Sequence, residues 1–314
     1  MTGSGVSSGS GVSSGGRAGA VAGWCRRVGR YVSGSYTPVP SLVFAAAWAY
    51  GVTGLFAALD PLVTRWRPGA GTAVAAVTVF ADLLLMRALD DVRDLGYDRR
   101  FNPGRPLASG AVRVRDLGVL YAVGSLAVLA LNAVRPWQVA VLGVQLGYGV
   151  IVVAAHCRSG RPSGDRLLVN LLVSLPAPVL LHAYLYAGYL HEAGHRAGRP
   201  GLVAVTVAVL AAGHAELAKN LTRTPRPGER TYAAALGLRG TAALALAAPA
   251  LSAALLAARS EAPPAWTPAA VLPLAVPAVA GYRFLRGRTR WPPAAPALHL
   301  LLAFAGYAAL GLAR

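Results

Sequence analysis

Nine stretches of this chain run close to the ~20 residues that a helix needs to cross a bilayer, and each carries few charges. They fall at 38–58, 71–90, 116–134, 137–156, 167–190, 200–221, 237–258, 265–285 and 296–313. In lipid a single segment satisfies its backbone only as a helix. Pro136, Pro200, Pro264 and Pro296 stand at or near four of the starts, where a missing N–H costs nothing. Charged residues make up only 13% of the 314, against roughly a quarter in soluble domains. A polar face for every helix cannot be built from so few. The expectation is an all-α integral membrane protein, a bundle of about nine transmembrane helices.

Charge supports the count. With the N-terminus in the cytoplasm, the outer segments hold only Arg65, Arg67, Arg135, Arg196, Arg199, Arg259 and Arg314 of the 30 basic residues. That asymmetry follows the positive-inside rule, and a missed span would scramble it. The same rule accounts for the net charge of +18 without a nucleic-acid partner. The expected place is therefore the cytoplasmic membrane, multi-pass, with the bilayer as a partner. Cys25 and Cys157 both fall in cytoplasmic segments and form no disulfide framework.

Residues 1–30 are expected to stand apart from the transmembrane domain, 31–314. The first twenty are Gly/Ser-rich and read as a disordered tail. Trp24 to Arg30 reads as a basic interfacial lead-in. No signal peptide is evident, because no apolar run follows a basic start.

The acidic residues are few and gathered. Of twelve Asp and Glu, Asp82, Asp90, Asp91, Asp94 and Asp98 lie within one short segment. Positions 90, 94 and 98 are spaced i, i+4, i+8, which puts three carboxylates on one helical face. Unpaired at a membrane edge they repel and cost several kcal/mol. A divalent cation resolves both problems, and hard oxygen ligands select Mg²⁺, which shares its shell with water and phosphate. The opposing reading is neutralisation by Arg87, Arg93, Arg99 and Arg100. Asp82 lies about two turns deeper and reads equally as cavity-lining or internally paired.

The segment RALDDVRDLGYDRRFNPGRPLASGAV, residues 87–112, resembles the first signature of the UbiA superfamily of intramembrane prenyltransferases. That signature reads N-D-x-x-D-x-x-x-D followed by R-P-L-x-x-G. Asp90 stands where Asn is usual, Asp91, Asp94 and Asp98 match the aspartates, and Arg105, Pro106, Leu107 and Gly110 match the tail. The second signature, a D-x-x-x-D element after the sixth span, is altered. In GHAELAKNLTRTPRPGERTYAAALG, residues 213–237, Gly228, Thr231 and Leu236-Gly237 keep the frame, while Glu216, Lys219, Asn220 and Arg223 occupy the aspartate region. It resembles a divergent branch in which E-x-x-K/R replaces the second metal site.

The resemblance implies a central cavity, capped by loops at roughly 91–114 and 223–236. It implies a Mg²⁺-dependent prenyltransferase that ionises an allylic prenyl diphosphate and passes the prenyl group to an aromatic or lipid-like acceptor. Asp90, Asp91, Asp94 and Asp98 are the expected catalytic carboxylates, with Asp90, Asp94 and Asp98 as metal ligands. Arg87, Arg105, Arg158, Arg161, Glu216, Lys219, Asn220 and Arg223 are expected around the diphosphate, with Tyr148 and Asn170 in the same cavity. The alternative within the superfamily is a membrane terpene cyclase, which needs no acceptor. A third reading is a transport-like protein with a vestigial site; the chain shows no clear internal repeat of the kind transporters carry.

His191-Glu192-Ala193-Gly194-His195 spells H-E-x-x-H, the pattern of zinc proteases. Gly194 interrupts the helix that would present both imidazoles, so the match is set aside. His182, His214 and His299 lie singly within spans and read as packed or cavity-lining.

Overall fold

A computed structural model describes residues 14–160 and 167–314. The protein is all-α, and no named strand occurs among the described residues. Among these residues nine helical segments are long and apolar enough to cross a membrane, as the hydrophobic runs require. They are α2 (Pro38–Leu59), α3 (Ala70–Arg93), α5 (Val114–Leu131), α6 (Pro136–Ser159), the pair α7 (Leu167–Ser174) and α8 (Pro176–Ala193), α9 (Arg199–Ala218), α10 (Tyr232–Arg259), Pro264–Leu285 and α13 (Ala295–Leu312). The eighth segment is composite. Short 3₁₀ turns flank α11 (Thr267–Val271), and α12 (Ala275–Leu285) completes it.

Exposure separates lipid-facing from protein-facing stripes. On α5, Leu117, Tyr121 and Val128 are buried while Val119, Val123 and Leu126 are exposed. In water that outer stripe would be a liability; in a bilayer it is the lipid face. Small residues let α2 and α13 approach closely. A Cβ at Gly54 would come within 2.8 Å of the Ala308 backbone, and one at Gly311 within 2.6 Å of Gly54. This is the small-residue contact that membrane helices use where lipid removes the hydrophobic drive to associate.

The N-terminal helix α1 (Ser14–Tyr31) begins inside the Gly/Ser-rich stretch that composition assigns to a tail. It is strapped to the first residues of α5. Arg27 donates two hydrogen bonds to the Asp116 carboxylate at 2.7 and 2.8 Å, and the Trp24 indole N–H donates to the Asp116 carbonyl at 3.2 Å. A planar guanidinium fits a carboxylate in this two-point way.

The nine alternating segments place the ends of α3, α6, α9 and α12 together with the starts of α2, α5, α7, α10 and α13. We refer to this as the basic end. Loops meet there: the Arg223 amide bonds the Thr289 carbonyl, and the Trp291 amide bonds the Leu221 carbonyl. The opposite end is closed by Asp60, His195 and the carbonyls that Arg314 binds.

Candidate functional site

The acid-rich segment does not continue as one helix. α3 ends at Arg93, Asp94 sits at φ −94° and ψ 8°, and α4 (Leu95–Phe101) follows it. The main-chain ladder survives, with the Asp94 amide on the Asp90 carbonyl and the Asp98 amide on the Asp94 carbonyl. The side chains divide into two groups, each drawn to its own pair of arginines.

Asp91 and Asp98 turn inward. Asp98 accepts from Asn102 Nδ2 at 2.8 Å and from Arg105 Nη1 at 2.6 Å. Asp91 accepts from the Tyr31 hydroxyl at 3.0 Å and pairs with Arg87 at 3.0 Å and Arg105 at 3.6 Å. Burial, reinforced by the Asp91 charge, raises the Tyr31 hydroxyl well above its usual range, which keeps it a donor. Arg87 and Arg105, expected at the diphosphate, are thus engaged with internal carboxylates.

Asp90 and Asp94 turn the other way. Arg93 lies between them, 2.9 Å from Asp90 Oδ1 and 4.0 Å from Asp94 Oδ1. Arg230, from the loop before α10, reaches Asp94 Oδ1 at 3.1 Å and lies over the Tyr97 ring at 4.6 Å. The two segments that carry the resemblance, far apart in sequence, therefore meet at one place.

Asp90 and Arg93 open onto a cavity of about 540 Å³ walled by α2, α3, α6, α7, α8 and α9. Leu83, Met86, Leu89, Val152, Leu181 and Val209 give it apolar walls. Glu216 and Lys219 close its rim from the end of α9; Lys219 Nζ donates to Glu216 at 2.7 Å, as does the Tyr232 hydroxyl. The mouth thus carries two cations and two carboxylates over an apolar interior. Tyr148 and Asn170 line the cavity, as expected from the sequence. The break between α7 and α8 at Leu175–Pro176 shapes this wall, and the Tyr148 hydroxyl bonds the Val173 carbonyl at 2.7 Å beside it. Proline without its N–H is the cause of such a break.

The other expected residues lie elsewhere. Arg223 donates to the Phe284 carbonyl at 3.0 Å and stacks on the Phe284 ring at 4.8 Å, away from the cavity. Arg158 and Asn220 are exposed and outside the cavity lining. Arg161 lies outside the described residues. Arg93 and Arg230 were legible only as neutralising or topological charges, because their partners are set by the fold.

The helical spacing of Asp90, Asp94 and Asp98 does not produce a three-carboxylate metal site. Among the described residues no three His, Cys, Asp or Glu side chains converge for a metal. The turn at Asp94 sends Asp98 into the buried arginine cluster, where both its oxygens are taken. Asp90 and Asp94 are only partly covered, with side-chain exposures of 54% and 31%, and their recorded partners all fall on Oδ1. Asp90 and Asp94 are the carboxylates here that could still offer an oxygen to a Mg²⁺ ion, which would keep several waters and take phosphate oxygens as further ligands.

The H-E-x-x-H pattern is not a zinc site. α8 stops at Ala193, Gly194 takes a left-handed φ of 70°, and His195 turns to Asp60 at 3.0 Å. Comparison with family models, with curated proteins and with solved structures finds no match for this chain.

Proposed function

We propose that this protein is an intramembrane prenyltransferase, which binds an isoprenoid diphosphate with its charged head at the basic end and its chain in the apolar cavity. The carrying observation is the meeting of segments 87–112 and 213–237 through Arg230 and Asp94, beside an ionic mouth on an apolar chamber. The resemblance predicts that those two segments act on one substrate, and a chance motif match would have no reason to bring them together.

In this reading Arg93 and Lys219 bind diphosphate oxygens, which releases Asp90 from Arg93 while Asp94 keeps Arg230 on its Oδ1 and offers Oδ2 to a shared cation. Mg²⁺ on that pair supplies neutralisation of the leaving diphosphate. The apolar walls hold the prenyl chain extended and exclude water from the allylic carbon as its bond to oxygen breaks. Glu216, held by Lys219 and Tyr232, fixes the lysine over the mouth. The basic end faces the cytoplasm, where charged diphosphates are soluble and where arginine-rich loops are retained.

The test is product analysis. Purified protein in lipid nanodiscs is incubated with Mg²⁺ and geranyl, farnesyl or geranylgeranyl diphosphate, with and without a membrane extract as acceptor source. A prenylated adduct that needs the extract supports transfer. A hydrocarbon released without it means cyclisation, and an unchanged substrate in every arm contradicts the proposal.

A further inference from the structure

The N-terminal helix α1 has two unlike faces. Trp24, Arg27 and Tyr31, spaced three and four residues apart, share the inward one. All three are anchored. Trp24 and Arg27 hold Asp116 in the first turn of α5, and Tyr31 donates to Asp91 in the last turn of α3. Val21, Cys25, Arg26, Gly29 and Arg30 make up the outward face, and all five are exposed. Arg26 and Arg30 stand one turn apart, and their guanidinium groups meet no carboxylate or aromatic ring among the described residues. The chain carries no Asp or Glu before Asp60, so α1 holds no counter-ion of its own. Arg113 and Arg115, exposed within three residues of the Asp116 anchor, bring further positive charge to the same junction.

The anchor also sets the depth of α1. Val119, Val123 and Leu126, the lipid-facing stripe of α5, begin three residues beyond Asp116, about 5 Å along a helix that rises 1.5 Å per residue. From Tyr31 the chain passes through the short turn Val32–Tyr36 into α2, a second span. α1 is therefore fastened at the edge of the hydrocarbon, at the level of the headgroups. The positive-inside rule accounts for positive charge on this side. It does not account for a helix fastened at three points with two arginines turned away from the protein.

We infer that the outward face of α1 is a binding surface for anionic phospholipid headgroups of the adjoining leaflet, with Arg26 and Arg30 taking the phosphate oxygens. A guanidinium meets a phosphate through parallel N–H donors. Each arginine close to an anionic surface adds roughly fivefold in affinity. A zwitterionic headgroup carries the same phosphate but cancels its charge, so the surface selects by net charge. This surface is independent of the chemistry proposed for the cavity.

Cys25, exposed on the same face, gives a local readout. Full-length protein with Cys157→Ser is labelled at Cys25 with bimane and placed in phosphatidylcholine nanodiscs that carry a small fixed fraction of headgroup-nitroxide phosphatidylcholine as quencher. Replacing part of the unlabelled lipid with phosphatidylglycerol is expected to relieve the quenching by about twofold or more, as anionic headgroups displace the nitroxide lipid from the arginines. Arg26→Gln/Arg30→Gln is expected to stay quenched at every composition. Arg286→Gln/Arg288→Gln, the same loss of exposed charge elsewhere at the basic end, is expected to keep the relief. A label that is unquenched in the phosphatidylcholine discs places this face in the cytoplasm, open to a soluble acidic partner, and overturns the inference. Quenching that phosphatidylglycerol fails to relieve overturns it too, as does relief that survives in Arg26→Gln/Arg30→Gln or is lost equally in both variants.

Discussion

His214 Nδ1 lies 2.6 Å from the carbonyl of Ala245, the one carbonyl that Pro249 leaves without its helical N–H. His299 Nδ1 lies 3.1 Å from the Pro273 carbonyl, which the Ala275 amide also reaches within its 3₁₀ turn. In the bilayer an unpaired carbonyl costs several kcal/mol, and neighbouring side chains re-satisfy what proline frees. His214 is thereby assigned to backbone repair rather than to metal binding.

That assignment predicts coupling. His214→Leu is expected to cost about 1–3 kcal/mol by orphaning the Ala245 carbonyl. Most of that cost is expected to vanish in the Pro249→Ala background, where the introduced alanine supplies the missing helical N–H. Unfolding in detergent measures the four proteins of the cycle, and strictly additive effects would contradict the pairing.

The two arginine-bound groups of aspartates are expected to fail differently. Asp98→Ala leaves Arg105 short of its closest partner and should lower stability by about 2 kcal/mol. That is less than the roughly 3–5 kcal/mol of a fully buried pair, because Arg105 is partly exposed. Asp90→Ala, at the exposed rim, should leave the melting temperature within about 1 °C while turnover is lost. Thermal scanning beside an activity assay separates them, and an inactive but fully stable Asp98→Ala would place Asp98 in the chemistry after all.

At the opposite end, Asp60 accepts from Tyr189 at 2.8 Å, from the Leu62 amide at 3.0 Å and contacts His195 at 3.0 Å. Burial pushes the Asp60 carboxyl up, but these hydrogen bonds, led by His195, outweigh it and hold it below the ordinary carboxylate value. A depressed folded-state value means stability that is present above the unfolded value of about 3.9 and lost as pH falls below it. Unfolding followed between pH 6 and pH 3 should show that loss, and Asp60→Asn should flatten it. An identical pH profile in the variant removes Asp60 as its source.

Cys25 and Cys157 are free and exposed, and both lie toward the basic end. A membrane-impermeant maleimide applied to intact cells is expected to leave them unlabelled until the cells are opened. Labelling before permeabilisation reverses the orientation.

The spans were legible because a hydrophobic run long enough for a bilayer has few other uses, and the described helices fall on the same nine runs. The acid stripe was legible only in part. Spacing i, i+4, i+8 describes a helix that continues, and the turn at Asp94 diverts Asp98 to Arg105. Glu216 and Lys219 were found because they sit in the altered motif. Arg93's place at the mouth and Arg230's pairing with Asp94 depend on contacts that sequence spacing does not encode. Deeper in the cavity, Asn170 and the alternative readings of Asp82 and His182 were legible from their place in apolar spans, whereas Trp48 and Gln145 join the same lining only through the fold.

The most direct test of the account is release of inorganic diphosphate from allylic prenyl diphosphates by protein in nanodiscs. The wild type is expected to release it with Mg²⁺ present, and Asp90→Asn and Lys219→Ala to fall at least about 100-fold, on the scale of lost transition-state charge stabilisation, with unchanged melting temperatures. Release that persists in both variants, or none from geranyl, farnesyl or geranylgeranyl diphosphate in the wild type, would contradict it.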